Sequence, residues 1–403
     1  MSINSRRLDI SAGIIVKRDG TTIRVEPTSI TIPDSPVKIV TDEMFDLIPP
    51  SHQSVNWGCA PAGTKVCGLL QPNSLVKDSL RVKSQSGVRG TPLPPAAYTV
   101  GSEWPLVNST SNIPHQKVFL DYDVPQRRIC TVAINDAGGS KLFIGPLSLG
   151  APSPPDIPRL YTPIVNIEAS TFDSQLHDSN LMPIYTSDSN HPKVDSNTVA
   201  KTRSKLLMGK TVTIVFVGDS VTGGAAASNS AKAFPAMFTD QLRKQYPNAA
   251  IETVMVAQGG THSDSQFARF QKRFTTDYPD LVIVEFINDV ALDGKTVRDR
   301  YSRFIRMLQS HGTECIICLP HLCSPSLYGF KPDDWQSVAN KEYYVVVTEL
   351  CQEMKVGLAN VFERSKNIKS EGLTPALLLA DRQMHPNDRG HQLYAEELFR
   401  FFH

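Results

Sequence analysis

No apolar run in this 403-residue chain approaches the roughly 18–20 residues needed to cross a bilayer, so no membrane span is expected. An excess of one charge is missing too. Lys plus Arg number 41 and Asp plus Glu 40, a formal net charge of +1 with no basic block. That balance argues against nucleic acid and against a polybasic membrane anchor. The first twenty residues, MSINSRRLDISAGIIVKRDG, hold no apolar run longer than residues 12–16. That is short of a signal-peptide core, so the expectation is either no export by that route or a leader already removed. Compartment and oligomeric state stay open. The seven cysteines (59, 67, 130, 315, 318, 323 and 351) are an odd number without the framework of a small disulfide-bonded domain. Cys315 and Cys318 form a C-x-x-C, but inside Cys315-Ile316-Ile317-Cys318-Leu319, which reads as a buried strand rather than a redox or zinc motif. No second Cys or His pair stands at finger spacing, and no metal or cofactor is expected.

Proline is present but uneven, with 21 of 29 before residue 201. Long helices are excluded there, because each internal Pro removes a donor and clashes with the preceding turn. What lies between the prolines is short and alternating, at residues 12–16, 21–25, 37–40, 65–69, 116–122, 130–134 and 141–144. This pattern predicts an all-β, sandwich-like domain over residues 1–165. The Pro-rich residues 152–158 should be extended, and the surrounding layout weakly resembles β-domains of phage tail appendages. Residues 170–197, rich in Ser, Asp, Asn and His, lie within a linker or irregular segment set at 166–204.

From about residue 205 the pattern becomes strand, loop, helix, repeated. Strands are expected at 211–217, 251–256, 281–286, 314–319 and 357–361, and helices at 234–246, 264–275, 297–309, 333–355 and 390–402. Wholly apolar strands alternating with helices imply a five-stranded parallel sheet covered on both faces, a three-layer α/β/α domain over 205–403. Ligands of such sheets sit beyond the carboxyl ends of the strands. There the sequence places Gly218-Asp219-Ser220, then Gly259-Gly260-Thr261, then Asn288-Asp289, and finally Asp381 and His385 before the last helix.

A hydroxyl, a flexible backbone donor, an amide and a carboxylate–imidazole pair are what acyl transfer through serine needs. Ser220 is the candidate nucleophile and His385 its base, with Asp381 to hold the imidazole's tautomer and charge. The Ser220 N–H, the Gly260 N–H and the Asn288 amide are candidate donors to the oxyanion.

These four blocks resemble the SGNH (GDSL-type) hydrolases over about residues 208–403, with Ser220, Gly260, Asn288 and His385 in the family's order. His385-Pro386-Asn387 followed by Gly390-His391 is similar to the family's last block. The resemblance implies a flavodoxin-like sheet, ester hydrolysis and no metal. Two departures stand out. Block three reads Glu285-Phe286-Ile287-Asn288-Asp289, without the family's Gly, and Asp381 lies four residues before His385 where the family has three. A bulged loop, a backbone carbonyl, Asp388, or a Ser–His dyad are the alternatives.

Asp219 and Asp289 read as loop anchors, and His391 as a cap or packing residue. His262 is balanced between pocket and surface, while His321 and Trp335 are weaker candidates for substrate contact. Asp333-Asp334 is accounted for by the helix dipole. The expected function is a serine esterase for short acyl, chiefly acetyl, esters on a small or carbohydrate substrate. A lipid esterase or thioesterase, and a non-catalytic tail or surface binding module, are the competitors.

Overall fold

The computed structural model describes residues 5–10, 14–18, 21–25, 28–33, 37–47, 79–87, 90–100, 107–110, 116–148, 151–170, 180–185, 194–331, 333–381 and 383–403. The chain divides into two compact units, Met1–Ser189 with Ile368–Gln383, and Asn190–Asn367 with Met384–His403.

The first unit is built of antiparallel sheets, as the proline spacing predicts. Among the described residues its largest sheet has four strands in the order Ser140–Ile144, Arg127–Asn135, Tyr161–Ser170, Leu181–Pro183. A three-stranded sheet sets Gln116–Pro125 between Val37–Leu47 and Arg81–Lys83. Two cores serve them, one around Cys130, Val132, Ile164 and Ile167, the other around Val82, Val118, Leu120 and Tyr122. Strand Tyr161–Ser170 runs through position 165 and pairs with Leu181–Pro183, a strand inside the segment expected to be irregular. The expected strand at 65–69, Cys59 and Cys67 lie outside the described residues. Residues 368–383 join this unit through the Asn166 amide, which donates to the Gly372 carbonyl at 2.9 Å.

In the second unit the five expected strands are β1 (Val212–Gly218), β2 (Ile251–Ala257), β3 (Leu281–Glu285), β4 (Glu314–Leu319) and β5 (Gly357–Asn360). All pair in parallel, in the order β2-β1-β3-β4-β5. The helices are α1 (Ala200–Leu207), α2 (Phe234–Gln245), α3 (Ser263–Arg273), α4 (Gly294–Ser310), α5 (Trp335–Ala339), α6 (Glu342–Met354), α7 (Val361–Lys366) and α8 (Asp388–Phe399).

Alternate residues of β1 serve opposite layers, as the two-residue strand period requires. Val215 and Val217 pack with Phe267, Phe270, Tyr301, Phe304 and Val347 of α3, α4 and α6. Phe216 meets Phe234 and Phe238 of α2 at 6.1 and 6.3 Å. Burying Phe216 contributes about 1.5–3 kcal/mol, more than the ~1 kcal/mol net of one loop hydrogen bond. The strand, rather than the turn after it, therefore fixes where Ser220 begins.

The helix expected over 333–355 is two helices. Lys341 is extended (φ −64°, ψ 136°) between α5 and α6. Tertiary contacts break it: the Glu342 carboxylate accepts the Gly294 amide of α4 at 2.8 Å, and Lys341 Nζ lies 4.3 Å from the Tyr328 ring. Asp334 does cap α5, accepting the Ser337 amide at 3.1 Å. Cys315 and Cys318 lie buried in β4 with free thiols, and burial pushes both thiols up.

Candidate active site

The chain leaves β1 toward β2 on one side and reaches β3 on the other. The sheet thus has its switch point at β1, and in sheets of this kind ligands bind beyond the carboxyl ends of the strands at that point. Gly218-Asp219-Ser220 occupies that position. The turn folds tightly, with the Gly223 amide on the Asp219 carbonyl at 3.0 Å and the Ala225 amide on the Ser220 carbonyl at 2.9 Å. Asp219 is fully buried. One carboxylate oxygen accepts the Val221 amide and the other the Asn288 amide, each at 3.0 Å. The side chain read as a loop anchor therefore ties the serine turn to the Asn288 loop.

Ser220 Oγ lies 3.0 Å from His385 Nε2. For the hydroxyl to donate, Nε2 must be bare and Nδ1 must carry the imidazole proton. The loop bearing His385 is fixed at both ends. After it, Asn387 caps α8 by accepting the Gly390 amide at 3.0 Å. Before it, the Met384 carbonyl lies 2.9 Å from His321 Nε2. A carbonyl only accepts, so His321 Nε2 holds the proton, and Nδ1 accepts from the Tyr394 hydroxyl at 2.7 Å. His321, 1% exposed, is thus a brace beneath His385 and not the substrate contact considered from sequence. No local pattern announces that role, which needs β4, α8 and the His385 loop brought together. Trp335 stands half-buried at the start of α5.

Asp381 belongs to the first unit, where one carboxylate oxygen accepts the Gln383 amide at 2.8 Å. Asp388, the alternative partner, has both oxygens engaged by Ser228, from its amide at 2.8 Å and its hydroxyl at 2.7 Å. His391 is a packing residue: it lies against Phe234 and places Nε2 3.1 Å from the Ala225 carbonyl in the loop after Ser220. Burial lowers its pKa to about 4, so it is neutral near pH 7.

The loop after β2 runs beside Ser220; a Cβ on Gly259 would stand 3.6 Å from that of Ser220. Gly260 has φ +70°, the left-handed region, and apart from its chain neighbours no atom lies within 4 Å of where its Cβ would be. Asn288, 5% exposed, donates from Nδ2 to the Thr261 carbonyl at 3.0 Å. An amide nitrogen has two hydrogens, so one is left to address a developing negative charge. Beneath them Glu285 ends β3, fully buried, with one oxygen accepting the Thr222 hydroxyl at 2.8 Å and the other without a partner. Burial, and after it the like charge of Asp219, pushes the Glu285 carboxyl far above the usual range, and burial raises Asp219 as well. The site therefore rests on an acid pair that resists ionising twice, a feature the motif pattern does not carry. Among the described residues no three His, Cys, Asp or Glu gather as a metal site, and no helix is long and apolar enough to cross a membrane.

Residues 216–393 match the model of the GDSL-like lipase/acylhydrolase family. Among solved structures, the chain is similar to a two-domain esterase active on acetylated mannans, with 17% identity and a TM-score of 0.41 over 52% of this chain and 56% of that one. The chain thus spans about half the length of that esterase. It is also similar to an acetylxylan esterase from Geobacillus stearothermophilus, at 22% identity and a TM-score of 0.38 over 47% of this chain and 94% of that one. A member of the lipolytic G-D-S-L family from Veillonella parvula matches at 16% identity, with a TM-score of 0.38, over 47% and 96%. No match is found among curated protein sequences.

Proposed function

Taking residues 216–393 as the GDSL-like lipase/acylhydrolase domain that they match, we propose that this chain is a serine esterase for short acyl groups. The observation that carries the reading is the 3.0 Å approach of Ser220 Oγ to His385 Nε2 at the switch point of the sheet. A serine hydroxyl is a weak nucleophile until a neutral imidazole takes its proton, and the pair meets that need.

The reaction runs in two displacements. Ser220 Oγ attacks the ester carbonyl as its proton passes to His385 Nε2, and the carbonyl oxygen becomes an oxyanion. The Ser220 and Gly260 amides and the Asn288 side chain stabilise that charge. The tetrahedral intermediate collapses, the alcohol leaves with the proton from His385, and the acyl group stays on Ser220. Water then gives a proton to His385 and attacks the acyl-enzyme; the second tetrahedral intermediate collapses, Ser220 Oγ takes the proton back from His385, and the carboxylic acid is released. Asp381 is the proposed orienting carboxylate on the other side of the imidazole.

The preference for small acyl groups, acetyl above all, rests on the surroundings of Ser220. The loop after it, Gly223-Gly224-Ala225-Ala226-Ala227, supplies small side chains and no long apolar lid. The nearby Thr261, His262, Ser228 and Asn229 are polar and at least partly exposed, which suits a polyhydroxylated alcohol such as a sugar. The mannan and xylan esterases named above act on such compounds, and the carbohydrate reading agrees with them without depending on them.

A panel of p-nitrophenyl esters of increasing chain length tests the proposal, with kcat/KM expected to be highest for acetate and to fall with length. A rise with length favours a lipid esterase or thioesterase, and no hydrolysis of any member favours a binding module. In the same assay Asp381→Asn is expected to lower kcat by about 10²–10⁴ if the carboxylate holds the imidazole tautomer. Wild-type turnover in that variant assigns the orienting role elsewhere or leaves a dyad.

A further inference from the structure

The loops after β2 and β3 are joined by two consecutive rungs. On the first, Asn288 Nδ2 donates to the Thr261 carbonyl at 3.0 Å. On the second, Asp289 Oδ1 accepts both His262 Nδ1 at 3.0 Å and the Ser263 amide at 3.2 Å. The other oxygen of Asp289 accepts the Tyr301 hydroxyl at 3.1 Å, which itself lies 3.0 Å from the Tyr343 hydroxyl of α6. Asp289 is fully buried, while the His262 side chain is a quarter exposed. Because a carboxylate only accepts, His262 Nδ1 carries its proton toward Asp289.

A buried carboxylate is costly unless its oxygens are met by donors. Here two of its three donors come from the residues that follow Gly260 and Thr261. Gly260 is exposed and lacks a side chain, and apart from its chain neighbours no atom lies within 4 Å of its Cβ position, so little packing holds it there. Its place depends on its neighbours' bonds: Thr261 Oγ1 to the Gln258 carbonyl at 2.7 Å, and the two rungs to Asn288 and Asp289. Neither His262 nor Asp289 takes part in the acyl transfer proposed above.

We propose that the Asp289–His262 pair is a positioning clasp that holds Gly260 and the Asn288 amide in register with Ser220. His262 is then a positioning residue for oxyanion stabilisation, not a surface histidine. The inference rests on the acyl-transfer reading of Ser220 and adds to it what keeps the donors in place. A donor displaced by ~1 Å loses much of its effect on the transition state while ground-state binding is little altered. The clasp should therefore act on kcat.

The test compares His262→Ala and His262→Asn with wild type, using p-nitrophenyl acetate and, as a mimic of the tetrahedral state, phenylboronic acid. His262→Ala is expected to lower kcat by about 10–100-fold with KM within ~3-fold, and to weaken boronic-acid inhibition by a similar factor. Asn presents an amide N–H close to the position of His Nδ1, so His262→Asn should recover most of the loss. Packing alone predicts no such recovery, so melting temperatures of both variants accompany the kinetics. The clasp is overturned by wild-type kcat in His262→Ala, by a change confined to KM, or by an Asn variant no better than Ala. Ser220→Ala serves as the control in the same assay; if it turns over like wild type, the acyl-transfer reading itself falls, whatever His262 does.

Discussion

Ser220→Ala is expected to lower ester hydrolysis by on the order of 10⁴–10⁶ in kcat while leaving the fold intact. The size follows from the mechanism. Without the hydroxyl there is no acyl-enzyme, and only the oxyanion donors and binding remain, which in serine hydrolases retain about 10³–10⁴ over water. The stability expectation is different in kind. Ser220 Oγ has one hydrogen bond with a side chain, to His385, and removing it costs ~1 kcal/mol. Its backbone carbonyl still accepts the Ala225 amide, so the turn survives. Inactivity with an almost unchanged melting temperature separates a chemical role from a structural one. Equal loss of both would make Ser220 a turn residue and nothing more.

Gly218→Ala should do the reverse, damaging the fold first and activity through it. A Cβ on Gly218 would stand 2.0 Å from Thr222 Oγ1 and 2.3 Å from the Glu285 carbonyl. The hydroxyl can rotate away, at the expense of its bond to the buried Glu285 carboxyl, although that leaves Thr222 Cβ at 2.6 Å. The carbonyl cannot, because Glu285 is paired with Gly218 across β1 and β3 and the Gln258 amide holds the Gly218 carbonyl from the other side. Relief requires β1 and β3 to separate or the turn to shift. Overpacking of this kind costs about 1–3 kcal/mol or more, and a ~1 Å displacement of Ser220 alone can cost about 10² in rate. Denaturant melts and kcat of Gly218→Ala check this against Gly223→Ala, whose Cβ meets nothing closer than 3.4 Å. Equal stability of the two variants would mean that the turn is looser than described.

The inner strands of the parallel sheet were legible because both faces are covered, which makes β1, β3 and β4 mostly apolar and distinct from the alternating strands of the first unit; the edge strand β2 exposes Glu252, Thr253 and Met255. The placement of Ser220, Gly260 and Asn288 in the loops after β1, β2 and β3 was legible for the related reason that parallel strands deliver their following loops to one edge; His385 stands before α8 and is not placed by that rule. The 3.0 Å contact between Ser220 and His385 joins residues 165 apart in sequence, and the strand order is what brings them together.

Roles that depend on side chains meeting across elements were not legible. His321 reads as a loop histidine after a strand, yet it braces the Met384 carbonyl from within the core. Asp219 reads as a turn residue, and nothing local says that its second oxygen reaches the Asn288 amide. The break between α5 and α6 has no proline or glycine to mark it, since the contacts of Lys341 and Glu342 with distant residues make it. Residues 368–383, which include Asp381, group with the first unit, although their position in the chain suggested the hydrolase domain.

The central claim is that an acyl group passes through Ser220, and the most direct measurement is to catch it there. Wild-type protein turning over p-nitrophenyl acetate is quenched in acid, digested, and the peptide bearing Ser220 is weighed and fragmented. An acetyl group is expected on the Ser220 oxygen, present during turnover, absent after the ester is consumed, and never seen in Ser220→Ala. Steady hydrolysis with Ser220 unmodified, or with the acetyl group on another side chain, would contradict it.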